Sequence, residues 1–335
     1  MFALCLYLLT VQNVDVFPSI HHQFQVAFKP NACALNSQGK LLLANDQELH
    51  LFSSEGELEN LRQEPHGVAA LVAWDEGFLV QFKEGGLLFL EADLKERWRV
   101  RMQDGLWPPQ SFDGHIVLGL AAGVHLLDNQ TGRVIQGWFG TQPLENFFIY
   151  QDTITLQMEG QKTVWLPYSQ GESTGKPLIR DAITYFSSHD VQAVAVTRGG
   201  DAIFLNKKKV LWKKKLYAEL IANPLYLENG KRGDWLLASK GRTLSILNSR
   251  GGEVNHLRLP DRPSRVLTNG AGVFVQFVSL AKIGYLDSTT RKLNYLDTAS
   301  HMIDASSSLN WAVFIGYDGQ IIQFQDLTHP TGGTP

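Results

Sequence analysis

An all-β fold is what this sequence predicts, and three observations predict it. Hydrophobic alternation with a period of two runs along the chain, and no amphipathic helix of useful length interrupts it. Short apolar runs recur in pairs. KLLLAN from Lys40, GFLVQF from Gly77, HIVLGL from His115, TITLQM from Thr153, QAVAVT from Gln192, WLLAS from Trp235, VFVQF from Val273 and WAVFIG from Trp311 are each followed by a tight turn and a second run. The last residues of those second runs, Phe52, Leu90, Leu127, Leu166, Leu205, Leu247, Leu286 and Phe324, follow one another at intervals of 38, 37, 39, 39, 42, 39 and 38. Glycine stands in most of the intervening turns (Gly85-Gly86, Gly123, Gly160, Gly199-Gly200, Gly241, Gly319), where it supplies the positive φ of a two-residue hairpin.

A period near 40 with four short strands per unit predicts a β-propeller of eight four-stranded blades. In each unit an inner strand comes first, as in GVAALVAW at Gly67. Two middle strands follow, and an outer strand such as RWRVRM at Arg97 ends the blade. The last unit lacks its own outer strand, because IIQFQDL runs directly into THPTGGTP. HQFQVAF, at His22 to Phe28, is an outer strand with no blade in front of it, so the ring is expected to close by lending it to the last unit. This reading makes 21–327 a single propeller domain and 328–335 a flexible tail. Residues 1–20 are left as a leader or an extra strand, TVQNVDVF being the candidate strand.

Composition narrows the function classes. The 335 residues, 44% of them hydrophobic, suffice for a large core. The net charge of −3 gives no global reason to expect nucleic acid. The apolar run Phe2 to Leu9, FALCLYLL, is too short to span a bilayer as a helix. No basic residue precedes it and no small-x-small site follows, which favours a strand over a cleaved leader. Cys5 and Cys33 allow one disulfide, and the absence of C-x-x-C excludes the usual cysteine zinc sites.

The junction between third and fourth strands reads HLLDNQTGRVIQ from His125, with relatives at Phe204 (FLNKKKVLWKKKL), Ile246 (ILNSRGGEVNHL) and Tyr285 (YLDSTTRKLNYL). It resembles the repeat of the pyrroloquinoline-quinone-type propellers, whose blades favour an LDxxTGKVLW junction. Asp128, Thr131, Gly132, Arg133 and Val134 carry that match, with Val210-Leu211-Trp212 matching its end. The quinoprotein dehydrogenases of this superfamily hold a quinone and calcium over the channel, beneath a vicinal cysteine pair. This chain has no adjacent cysteines. It is more similar to the non-catalytic branch, which includes the propeller lipoprotein of the bacterial outer-membrane assembly machine. That resemblance implies a scaffold without cofactor, in the bacterial envelope. The chain departs from it in lacking a lipidation site, since Cys5 lies inside the apolar run, and this leaves a cytoplasmic setting open.

KKKVLWKKK, Lys207 to Lys215, places six lysines around an apolar centre. With them set aside, 24 basic residues face 33 acidic ones, so the cluster is local against an acidic background. In the repeat it is the third-to-fourth-strand turn plus an outer strand. Strand alternation should bury at least one apolar side, and Trp212 should pack between neighbouring blades. Lysines on an outer strand defend an edge against pairing. They also form a basic stripe fit to dock an acidic surface, and Lys207, Lys208, Lys213 and Lys214, with Trp107 in the turn-like DGLWPP, are the expected partner-binding residues. Nucleic acid is disfavoured, because Trp212 is the only stacking aromatic in the stretch.

Catalytic motifs give way to turn chemistry. Gly171-Glu172-Ser173-Thr174-Gly175 matches G-x-S-x-G, but Lys176-Pro177 follows where a nucleophile elbow needs a helix. Ser188-His189-Asp190 are sequence neighbours, which an extended strand points to opposite faces. His21-His22 lacks a further ligand at useful spacing, and Asn129-Gln130-Thr131, a glycosylation pattern, is already explained as a turn. The expected function is a non-catalytic platform for protein partners. The alternative is a channel-mouth enzyme of lyase, hydrolase or quinoprotein type, with lone residues such as Asp75, Asp113 or Asp152 converging from several blades.

Overall fold

In the computed structural model the chain folds as a ring of antiparallel sheets, and the described residues are 17–325 except 75–76, 103–106, 161–163, 168–178, 180, 208, 229–232, 270–271, 289 and 309. Expectations for residues 1–16, for the 328–335 tail, and for Asp75, Lys208, Cys5 and the Gly171–Gly175 motif lie outside the described residues. Regular structure among those described is entirely β.

The first strand, β1 (Ile20–Gln25), belongs to the last blade. The blades then follow in chain order: β2 (Ala32–Leu35), β3 (Leu41–Ala44), β4 (Glu48–Phe52) and β5 (Leu58–Gln63); β6 (Val68–Trp74), β7 (Gly77–Phe82), β8 (Leu87–Leu90) and β9 (Glu96–Val100); β10 (Gln110–Phe112), β11 (His115–Leu120), β12 (Gly123–Leu127) and β13 (Val134–Phe139). Next come β14 (Leu144–Tyr150), β15 (Thr153–Met158) and β16 (Val164–Pro167); β17 (Ile183–His189), β18 (Gln192–Thr197), β19 (Asp201–Asn206) and β20 (Lys209–Lys215); β21 (Leu225–Leu227), β22 (Asp234–Ser239), β23 (Thr243–Asn248) and β24 (Glu253–Arg258); β25 (Pro263–Thr268), β26 (Gly272–Phe277), β27 (Lys282–Asp287) and β28 (Leu293–Asp297). Last, β29 (Met302–Ser308), β30 (Trp311–Gly316) and β31 (Gln320–Gln325) take β1 as their fourth strand.

The β-propeller is therefore observed, but the expected eight four-stranded blades are corrected to seven blades of four strands: the remaining sheet, β14-β15-β16, has only three among the described residues. The stretch after β16 is where an outer strand was expected by the repeat. Closure by the N-terminal strand is observed, with Phe24 opposite Ile321 and Gln25 opposite Gln320. That strand starts two residues before the expected His22 and ends three before Phe28, because the Val26 amide turns to donate to the Gly319 carbonyl at 3.0 Å. Gly319, at φ +88, lets the chains approach: a Cβ there would lie 2.4 Å from the Val26 oxygen.

Stacking of sheet on sheet explains the sequence pattern. The second strands β7, β15, β22, β26 and β30 are buried along their whole length, so they read as nearly continuous apolar runs. Outer strands such as β5 and β20 are mostly exposed. The wedges between blades are filled from both sides. Leu79, Leu87 and Phe89 meet Ile116, Leu118 and Leu127, while Leu35, Leu41 and Leu43 meet Trp311, Val313 and Ile315. Each fully buried aliphatic side chain contributes about 1.5–3 kcal/mol relative to exposure.

Polar clasps then fix one blade to the next. On three outer strands, equivalent residues donate to a junction carbonyl of the following blade: Asn60 Nδ2 to Asp93 (2.7 Å), Trp98 Nε1 to Asn129 (2.8 Å) and Trp212 Nε1 to Ser249 (3.1 Å). A buried glutamine at the fifth position of the second strand ties its blade to the first strand of the next, nearer the axis. Gln157 Oε1 accepts from the Ile183 amide at 2.7 Å, and Gln276 Nε2 donates to the Met302 carbonyl at 2.6 Å. On the rim, the carboxylate of Glu64, 2% exposed, receives both Arg62 and Arg99 at 2.7 Å, and Glu96 bridges the same two guanidiniums.

Candidate partner-docking site

The basic stretch is placed by the β19–β20 hairpin. Lys207 stands in the turn at φ 47, its amide held by the Val191 carbonyl at 2.8 Å. Lys209 to Lys215 form β20, the outermost strand of its blade. Register pairs Phe204 with Trp212, Ile203 with Lys213, Ala202 with Lys214 and Asp201 with Lys215, and shifts between Phe204 and Leu205. That bulge carries Leu211 as the extra residue and corrects the expected alternation. Val210 and Leu211 are both exposed, at 45% and 56%, and only Trp212 turns inward.

Trp212 does pack between blades. Its ring stacks on Phe204 at 5.5 Å and 5°, its Nε1 reaches Ser249, and its face rests on Gly251. Beyond it the lysines alternate. Lys213 and Lys215 project to the side of Asp201, which Lys213 meets at 3.1 Å and Lys215 at 3.9 Å, and Lys213 also reaches Asp181 at 3.6 Å. The hydrogen bond that Lys213 donates to Asp201 and the nearby acidic charges push its amine above its ordinary value. Lys214 projects to the opposite side and lines a cleft.

That cleft, about 120 Å³, opens between the end of β20 and the blade β21–β24. Leu220, Leu237 and Leu247, each no more than 3% exposed, form its floor. Lys214, Ser245, Glu253 and His256 stand among its lining, and Tyr217, fully exposed, borders it. His256 Nδ1 lies 3.1 Å from Ser245 Oγ and 3.0 Å from Glu253 Oε1. Hydrogen bonding from Ser245 and His256, with the charge of Lys214, holds the Glu253 carboxyl below its ordinary range. Serine and glutamate share one ring nitrogen here, whereas a nucleophile relay needs the base oriented through one nitrogen and acting through the other. The trio is a polar rim. Sequence reading missed the cleft because its walls come from two blades whose proximity only the ring creates.

The other expected residues are scattered. Trp107 is half-buried against Gly119 and Phe147 in the wedge between β11 and β14. Asp113, at φ 49, and Asp152 sit in separate turns between first and second strands. His189 stacks on Tyr226 at 3.8 Å while Ser188 Oγ donates to the Ile149 carbonyl, so these two residues are built into blade contacts, and Asp190 stands exposed in the turn beside them. His21 lies edge-on to Trp311, with its Nε2 3.4 Å from Glu55. No group of three His, Cys, Asp or Glu able to hold a metal occurs among the described residues, and none of their helices is long and apolar enough to cross a membrane.

Three first strands bring together Cys33, Arg265 and Asp304, which sequence spacing could not connect. Arg265 Nη1 pairs with Asp304 and donates to the Ala305 carbonyl at 2.7 Å. Burial pushes the Cys33 thiol well up, Asp304 adds to this, and Arg265 opposes it. A protonated, enclosed thiol is a poor nucleophile.

Neither a protein-family model nor a curated sequence matches the chain. Solved structures do match in shape. BamB from Moraxella catarrhalis aligns over 94% of this chain and 88% of its own, with TM-score 0.61 and 12% identity. The C-terminal WD40 domain of Sif2 aligns over 92% and 98%, with TM-score 0.71 and 10% identity. BBS1N, in complex with ARL6DN, aligns over 75% and 88%, with TM-score 0.56 and 9% identity. At such identities the likeness shows the fold alone: the chain is a β-propeller.

Proposed function

We propose that this propeller is a non-catalytic scaffold that binds protein partners, with the domain spanning residues 21–327 and the β20 rim as a docking surface. The observation that carries the reading is that exposed Val210 and Leu211 stand among the lysines of one outer strand, with exposed Tyr217 two residues beyond its end. Apolar contact area inside a charged rim is the composition of a protein interface, and charge alone would steer association without selecting a partner. Similarity in shape to BamB, to a WD40 domain and to a propeller solved with a protein bound supports a binding platform. The PQQ-type junction supports placing the chain in the non-catalytic branch of that repeat superfamily.

The test is partner recovery. Lys→Glu changes at 207, 208, 213 and 214 are combined in the purified chain, and co-purifying proteins are quantified at rising salt. Recovery that falls with salt and is lost in the variant is expected. Identical recovery from variant and parent at every salt concentration eliminates docking through this strand. Trp107, half-buried, is tested separately by Trp107→Ala.

A further inference from the structure

We propose that the cleft between β20 and β22–β24 receives one aliphatic side chain of an extended acidic segment of a partner protein. This rests on the scaffold reading and names what the β20 surface selects. The size of the cleft sets the first limit. At about 120 Å³ it is well below the roughly 300–1,000 Å³ of small-molecule sites. Its floor is Leu220, Leu237 and Leu247, with Ser239, Thr243 and Ser245 also among its lining, and its size suits a single leucine- or isoleucine-sized group.

Charge sets the second limit. Lys214 stands at the cleft, whereas Lys213 and Lys215, its neighbours along the strand, project to the other side and meet Asp201. The acid already in the rim, Glu253, is held by Ser245 and His256 and faces Lys214, so its charge is compensated. A carboxylate flanking an aliphatic residue would meet Lys214 as the aliphatic group enters. Strand geometry sets the third. β20 ends its sheet, and an extended segment laid beside it presents alternate side chains to the cleft at the spacing of a strand.

The probes are a fluorescein-labelled peptide, EDEDLDEDE, and the same peptide with Ser in place of Leu. Fluorescence anisotropy at low salt should give about tenfold tighter binding for the Leu peptide. Filling the cleft by Ala218→Trp, or from the opposite wall by Thr243→Phe if the first variant does not fold, should abolish that preference and leave weak charge-driven binding of both. Lys214→Glu should weaken both peptides. Equal binding of the two peptides to the parent, or a Leu preference that survives a folded cleft-filling variant, overturns the inference. So does a stronger response to an oligothymidylate of equal charge. If the peptides bind alike while partner recovery still depends on Lys207 and Lys213, the inference falls and the scaffold stands. If partner recovery also ignores those lysines, both fall.

Discussion

The indole of Trp212 rests on Gly251 of the following blade, where a Cβ would lie 2.9 Å from the ring, and the same relation joins Trp98 to Gly132 at 2.6 Å. Both glycines take a positive φ, at +79 and +68. The glycine of the junction thus has two reasons: the turn needs the left-handed conformation, and the tryptophan needs the space. Trp212→Ala should cost about 2–4 kcal/mol, somewhat below the roughly 3–5 of a fully buried tryptophan. Trp212→Phe keeps the stack on Phe204 and loses the bond to Ser249, for about 1 kcal/mol. Urea unfolding of the three chains checks the order. A Trp212→Phe loss as large as that of Trp212→Ala would show that the bond, and not the ring, joins the blades.

The buried glutamines make a second, sharper prediction. Gln276→Leu leaves the Met302 carbonyl without its 2.6 Å donor, and Gln157→Leu leaves the Ile183 amide without its 2.7 Å acceptor. Each should cost about 1–3 kcal/mol, the desolvation cost of an orphaned group, despite the gain in apolar volume. Thermal melts should place both variants below the parent. A rise in melting temperature would mean that water or relaxation replaces the lost partner.

Acid should weaken the fold through its turn carboxylates. Backbone amides of Ser279 and Arg262 hold Asp261 below its ordinary value, Thr131 does so for Asp128, and Ser300 and the Gln320 amide for Asp318. A depressed folded value means that the unfolded chain takes up protons first. The stability these groups add is therefore complete above the unfolded value, about 3.9, and is lost as pH falls through the folded one. Denaturation midpoints of the parent should drop below about pH 4. In Asp→Asn variants at 128, 261 and 318 the midpoints should start lower and drop less.

How much of this was legible in sequence follows from which interactions are local. Hairpins, spacing and ring closure were readable, since each depends on alternation and turn residues within one unit. The fourth strand of the β14–β16 sheet was expected from the period alone, with no apolar run of its own quoted for it. Strict alternation predicts burial of at least one apolar side of the strand, and a single bulge at Leu211 leaves Trp212 alone of its three apolar residues turned inward. The lysine stripe was visible as composition, but its division into Asp201-paired Lys213 and cleft-lining Lys214 depends on side-chain direction. The cleft itself and the Cys33–Asp304–Arg265 cluster join segments that only the closed ring brings together, and no linear motif records them.

That last cluster yields a chemical prediction. Cys33 is 9% exposed, and burial, then the neighbouring carboxylate of Asp304, keep its thiol protonated. A thiol is a poor nucleophile, so iodoacetamide at mildly alkaline pH should label Cys33 slowly in the folded Cys5→Ser chain and rapidly in urea. The two charges act in opposite senses. Asp304→Asn removes the carboxylate that raises the thiol's value and should speed labelling of the folded chain. Arg265→Gln removes the cation that lowers it and should slow labelling further. Mass spectrometry of the Cys33 peptide over time measures all three rates. If both substitutions accelerate labelling equally, loosening of the first strands would govern access, and the charges around the sulfur would have no separate effect.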